Sequence, residues 1–179
     1  MGIFDAFKKK NTAPAKPAEA PKPVDPTVQL FQTAIGDPDQ NKRTEAISGL
    51  TSQYWLQRVV REATYEVDKI QALDLLTDQN AIFEIATGDD NTPKIKSLAR
   101  QKLDDIHLFR FIDLPAVSGS DKTMAISRIS DADMLRKILY DSGKTSDLKK
   151  CAYRRLQLVN PEAAKEEEDT YNLLMNIYK

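Results

Sequence analysis

The sequence predicts an all-α protein built from short helical hairpins stacked side by side. Three observations predict it. Alanines recur at Ala46, Ala72, Ala99, Ala125 and Ala152, spaced 26, 27, 26 and 27 residues apart. Four residues after each comes Leu50, Leu76, Leu103, Ile129 or Leu156, and three residues before each comes Arg43, Lys69, Lys96, Lys122 or Lys149. A second apolar track, Leu30, Leu56, Ile82, Phe109 and Leu135, runs alongside at nearly the same period. A fixed period of this kind marks an array of supersecondary units, each too small to bury its apolar face alone.

Both tracks carry i, i+3, i+4 spacing, which is one face of a helix, so each unit holds two helices, A then B. The A helices are expected near 26–36, 52–63, 78–87, 105–113 and 131–141. The B helices are expected near 39–50, 66–76, 92–103, 120–129 and 145–157. Residues able to cap a helix stand before the A helices at Asp25, Ser52, Asp78, Asp105 and Asp131, and Pro26 suits a first helical position. Between A and B lie Gly36, Gly88 and Gly143, where a glycine can end a helix in the left-handed conformation. The joint Leu114–Ser120 is the longest and the one expected to depart from the common geometry. A last helix near 161–178 opens on Asn160 and Pro161. It carries Tyr171, Leu174, Ile177 and Tyr178 along one stripe and Glu166 to Asp169 elsewhere, as the open end of a stack requires.

The organisation is therefore an N-terminal arm, residues 1–25, then a repeat array, 26–157, then a C-terminal capping helix, 158–179. The arm holds NTAPAKPAEAPKPVDP, a proline-, alanine- and lysine-rich stretch expected to be an extended, disordered tether. At its tip Ile3, Phe4 and Phe7 precede Lys8, Lys9 and Lys10, a turn that could touch a membrane surface or a partner groove.

The local motif [RK]-x-x-A-x-x-x-[LI], found five times in register over residues 26–157, resembles HEAT-like and armadillo-like repeats. The units are shorter than the HEAT period of about 40–47 residues. They are similar to compact two-helix variants such as those of phycobilin lyases. The expected fold class is an all-α, right-handed α-solenoid of about five helical hairpins plus the capping helix. In the repeats it resembles, the basic ladder Arg43, Lys69, Lys96, Lys122 and Lys149 pairs with turn aspartates. That resemblance implies a structural ladder, with a ligand surface as the alternative.

A formal net charge of −1 gives no bulk attraction to nucleic acid, which makes a phosphate-backbone binder the lesser reading. The single Cys151 allows no internal disulfide, and no run approaches the roughly 20 apolar residues that span a bilayer. The N-terminus lacks the apolar stretch of a signal peptide, so a cytoplasmic protein is expected. His107, beside Phe109, is expected to be a partly buried or surface imidazole, Cys151 sits on the packing side of its helix, neither has catalytic neighbours in sequence, and no phosphate-binding, metal or nucleophile motif is found. No catalytic, cofactor or metal residue is assigned, and no enzyme activity is expected. The expected function is a non-enzymatic interaction module that binds another protein on its B-helix face. A backbone binder, or a lyase-like auxiliary by analogy of architecture, is the alternative. Candidate partner-binding residues are a basic strip, Lys102, Arg128, Lys149, Lys150, Arg154 and Arg155, and the pair Trp55 and Arg58. Two further readings stand beside these. The acidic last helix could neutralise the strip, and Trp55 could instead fill the gap between the first two units.

Overall fold

The computed structural model describes residues 25–177. The arm, its Ile3, Phe4 and Phe7, and Tyr178 lie outside the described residues, as does the side chain of Ile177. Among the described residues the chain is all-α, with twelve helices and no strand. The A helices are α1 (Pro26–Gly36), α3 (Gln53–Glu62), α5 (Gln79–Thr87), α7 (Asp105–Asp113) and α9 (Ala132–Tyr140). The B helices are α2 (Gln40–Gly49), α4 (Glu66–Leu75), α6 (Pro93–Lys102), α8 (Gly119–Ile126) and α10 (Ser146–Val159). The expected last helix is broken at Glu167 into α11 (Pro161–Glu166) and α12 (Glu168–Ile177).

Side-chain caps set most helix starts. Asp25, Asp39, Asp78, Asp131 and Asn160 each accept a hydrogen bond from an amide in the first turn, and so do Thr92, Ser118 and Thr145. Two expected caps differ. Ser52 makes no such bond, and α7 is capped by Asp104, not Asp105. Asp105 instead turns to the next unit, where its carboxylate accepts from the amides of Ser130 and Asp131 at 2.9 and 2.8 Å. Gln53 and Gln79, 52 and 26 residues earlier in chain order, do the same for Thr77–Asp78 and for Asp104. A polar side chain at the start of one A helix thus holds the joint that leads into the next. None of the five described glycines adopts the left-handed conformation. Gly88 is needed for closeness instead, because a Cβ there would lie 2.8 Å from the carbonyl oxygen of Glu84.

Each A helix packs on the B helix that follows it. The first three units meet through both layers, α1 on α3 and α3 on α5 with α2 on α4 and α4 on α6, whereas the third and fourth meet chiefly through α5 on α7 and the fourth and fifth through α8 on α10. The alanine column is buried throughout, from Ala46 to Ala152, as is the column one residue on at Ile47, Leu73, Ile126 and Tyr153. A small side chain at the alanine position lets helices approach closely, and the larger neighbour fills the space behind it. In the A helices the buried track runs through Phe31, Leu56, Ile82, Leu108 and Leu135, so Leu30 and Phe109 are only half-buried. These buried residues form one continuous core.

The irregular place is the fourth unit. Its joint is long, α8 has only eight residues, and Arg128 and Ile129 leave it in a tighter turn bonded back to Ala125 and Ile126. In this stretch α6 and α8 make no backbone approach comparable with that of α2 and α4. No helix among the described residues is long and apolar enough to cross a membrane.

Candidate functional site

The expected basic strip is not assembled as a surface. Lys102 donates to the carbonyls of Leu73 and Asp74, both at 2.7 Å, at the end of α4. Arg128 donates to the carbonyls of Arg100, Gln101 and Leu103 at 2.5, 2.7 and 3.4 Å, at the end of α6. Arg155 donates to the Ile129 carbonyl at 2.7 Å, just past α8. Carbonyls at a helix C-terminus lack intrahelical donors and carry the negative end of the helix dipole, so a cation from the next unit satisfies both. These three side chains form a second basic column, each one residue before Leu103, Ile129 and Leu156. That position was the signal available in the sequence, at spacings of 26 and 27 residues.

Lys149 is buried, which takes it out of the strip. The Gly143 amide, then Lys144, then the charge of Lys149 hold the Asp141 carboxyl below the ordinary carboxylate range. Lys150 approaches only Asp147, at 3.8 Å, and Arg154 is exposed. Two glutamates of the last helices turn to α9 instead. Glu166 and Glu167 pair with Arg136 of α9 at 2.6 and 3.0 Å, and Tyr140 donates to Glu167. Cys151 is half-buried, its thiol pushed up by burial against the opposing charge of Arg154.

The first basic column is mixed in its partners. Arg43 forms a buried pair with Asp68 of the adjacent unit at 2.6 Å and donates to the Asp37 carbonyl at 2.8 Å. Lys69 donates to the Arg61 carbonyl, Lys96 lies 3.4 Å from Asp89, and Lys122 lines a cavity at the joint edge with Lys144. Trp55 is half-buried against Phe31 with ring centroids 4.8 Å apart, so it bridges the first two units. Arg58 lies over the Phe31 ring and pairs with Glu62. Exposure at this end belongs to Tyr54, which is 60% exposed.

The B-helix face opens at a different place, one that the sequence reading missed. Between α6, α7 and α8 lies a pocket of about 120 Å³, floored by Leu108 and Phe111 and walled by Ala125 and Met124. Arg100, Asp121 and Arg128 line its rim. Arg100 occupies the column that is Ile47, Leu73, Ile126 and Tyr153 in the other units. A guanidinium cannot fill an apolar core position at the usual cost. It turns outward to Asp121 at 3.4 Å, with its charged end 5.1 Å from the Phe111 ring centre. Its Nε is buried and has no hydrogen-bond partner. Met124 is 63% exposed at the mouth. One break in an apolar column was therefore the visible signal of this site.

A second buried polar group sits nearby on the A side. His107 is buried, with its ring nitrogens 2.7 Å from the Asp104 carboxylate and 3.2 Å from the Asn80 side-chain oxygen. It ties the third and fourth units together. No group of acidic, histidine or cysteine side chains among the described residues is arranged to hold a metal ion. Comparison with known proteins finds no matching family model, no matching curated protein and no matching solved structure.

Proposed function

We propose that the chain is a non-enzymatic interaction module, a small right-handed solenoid of five HEAT-like hairpins that holds a partner protein against its B-helix face. The contacts between each hairpin and the next, two-layered among the first three, and the five-fold sequence register support the architecture. The observation that carries the function is the opening of the B-helix wall at α6 and α8 into an apolar pocket. Exposed apolar side chains elsewhere on the B helices, Val67, Leu75 and Leu158, offer further contact area on those helices. At about 120 Å³ this pocket lies below the roughly 300–1,000 Å³ of small-molecule sites and suits a protein side chain better than a tetrapyrrole, whereas the open cavity lined by Lys122 and Lys144, about 320 Å³, is at the lower edge of that range. Lys102, Arg128 and Arg155 spend donors inside the chain, which weighs against a nucleic-acid backbone as the ligand. A cytoplasmic setting suits this reading.

The test is a photo-crosslinking residue placed at Met124 or, for comparison, at Tyr54 on an A helix, in the full-length chain in its native cell. The reading expects one partner protein captured from position 124 and absent from position 54. Capture of the same partner equally from both positions, or of none from 124, would sink it.

A further inference from the structure

We infer that the pocket between α6, α7 and α8 receives one aliphatic side chain of a partner segment whose neighbouring residue is a carboxylate. This rests on the B-face reading above and adds the chemistry of the partner. The volume, about 120 Å³, is on the scale of a single side chain, since an engineered void of about 150 Å³ holds one benzene. The floor of Leu108 and Phe111 offers nothing polar to such a group. Met124 at the mouth is unbranched and polarisable, so it can close over anchors of somewhat different shape. The rim supplies the charge preference. Arg100 and Arg128 face one acid, Asp121, which leaves a formal excess of one positive charge at the mouth. Arg128 has its guanidinium engaged by three carbonyls, but these are neutral and do not cancel its charge. The Arg100 side chain is one-third exposed beside Asp121, so its guanidinium can donate to a second acceptor, and a carboxylate is the acceptor that such a donor holds most strongly. In the chain's own N-terminal segment Asp5 follows Ile3 and Phe4, but Lys8, Lys9 and Lys10 would bring three like charges to this rim against that one carboxylate, which makes it the poorer occupant.

The experiment uses the full chain with its methionine methyl groups labelled, so that Met124 reports by NMR on the pocket. Two probes are titrated, acetyl-Gly-Leu-Glu-Gly-amide and acetyl-Gly-Leu-Gln-Gly-amide. The Met124 signal is expected to shift saturably with the glutamate probe, and the glutamine probe is expected to bind about tenfold more weakly, as loss of a charge-assisted bond implies. Arg100→Gln is expected to remove that preference while circular dichroism shows the helices intact. A bulky Ser97→Trp at the pocket wall is expected to abolish binding of both probes. Equal binding of the two probes, an unmoved Met124 signal, or a preference that survives Arg100→Gln would overturn the inference. A partner captured from position 124 with no probe response would overturn the inference alone and leave the B-face reading standing.

Discussion

Two seams between B helices contain the same kind of ion pair and end in opposite states. In the seam between α2 and α4, Arg43 meets Asp68 at 2.6 Å, with the side chains 4% and 1% exposed. In the seam between α6 and α8, Arg100 meets Asp121 at 3.4 Å, with 33% and 36% exposed. The two aspartates are equivalent, each four residues before the column alanine, Ala72 or Ala125. The arginines are not. Arg43 stands three residues before Ala46, whereas Arg100 stands one residue after Ala99, a full helical turn further on. From the earlier position the guanidinium also reaches the Asp37 and Pro38 carbonyls and is covered by the Tyr65 ring at 4.0 Å. From the later one it displaces an apolar residue from the core column and leaves a pocket. A shift of one turn converts a seal into a rim.

The sharpest way to break this comparison is to remove the two acids in turn. Asp68→Asn is expected to destabilise the fold by about 3–5 kcal/mol, because it leaves the Arg43 charge buried without its counter-ion. Asp121→Asn is expected to cost about 0–1 kcal/mol, as for a half-exposed pair. Urea denaturation measures both. Equal costs would mean that the seams are not different in kind. Replacing both partners of the buried pair, Arg43→Met with Asp68→Leu, is expected to recover most of the loss, since the charge and its desolvation go together.

The struts come next. Arg128→Ala strips three carbonyls at the end of α6 of a charged donor and is expected to cost about 2 kcal/mol. Arg155→Ala removes one such bond across α8 and α10, which already pack closely, and is expected to cost about 1 kcal/mol. Reversal of that order would show that the open seam does not depend on its strut. Arg100→Leu runs the other way. It restores the apolar column, is expected to gain about 1 kcal/mol by filling the void, and should make the pocket too small for a probe. A loss of stability instead would place the origin of the pocket in the short α8 rather than in Arg100.

These contrasts also mark what could be read from the sequence. The helices, their order and most caps were legible, because apolar spacing and capping chemistry are local and repeat five times. The last helix was read as continuous because its stripe is continuous, yet Glu167 leaves the run to meet Arg136 and Tyr140. The bonds of Lys102, Arg128 and Arg155 were not foreseen because their partners are backbone carbonyls, which no side-chain pattern reveals. Lys102, Arg128 and Arg155 carry the same letters whether they face solvent or the end of a neighbouring helix. Gln53 and Gln79 were overlooked, and Asp105 was read as a cap, for the same reason. The pocket was the most accessible of the missed features, since one arginine interrupts an otherwise apolar column. Its regular surroundings hide it: the repeating columns define the array, and the pocket lies where one column fails.

The smallest effect concerns the A side of the open seam, where Asp104 caps α7 and binds His107. Burial pushes the Asp104 carboxyl up, but the His107 amide and the His107 ring more than offset this, so it lies below the ordinary range. A carboxyl lowered on folding binds fewer protons in the folded state than in the unfolded one, so it adds stability while ionised. That contribution is complete above the unfolded value of about 4 and disappears as pH falls through the lowered folded value. Wild type is therefore expected to lose more urea stability than Asp104→Asn between about pH 5 and about pH 2, the Asn variant keeping its cap but having no charge to lose. If the two proteins lost stability in parallel over that range, Asp104 would be acting as a neutral cap, and its charge would add nothing to the seam between the third and fourth units.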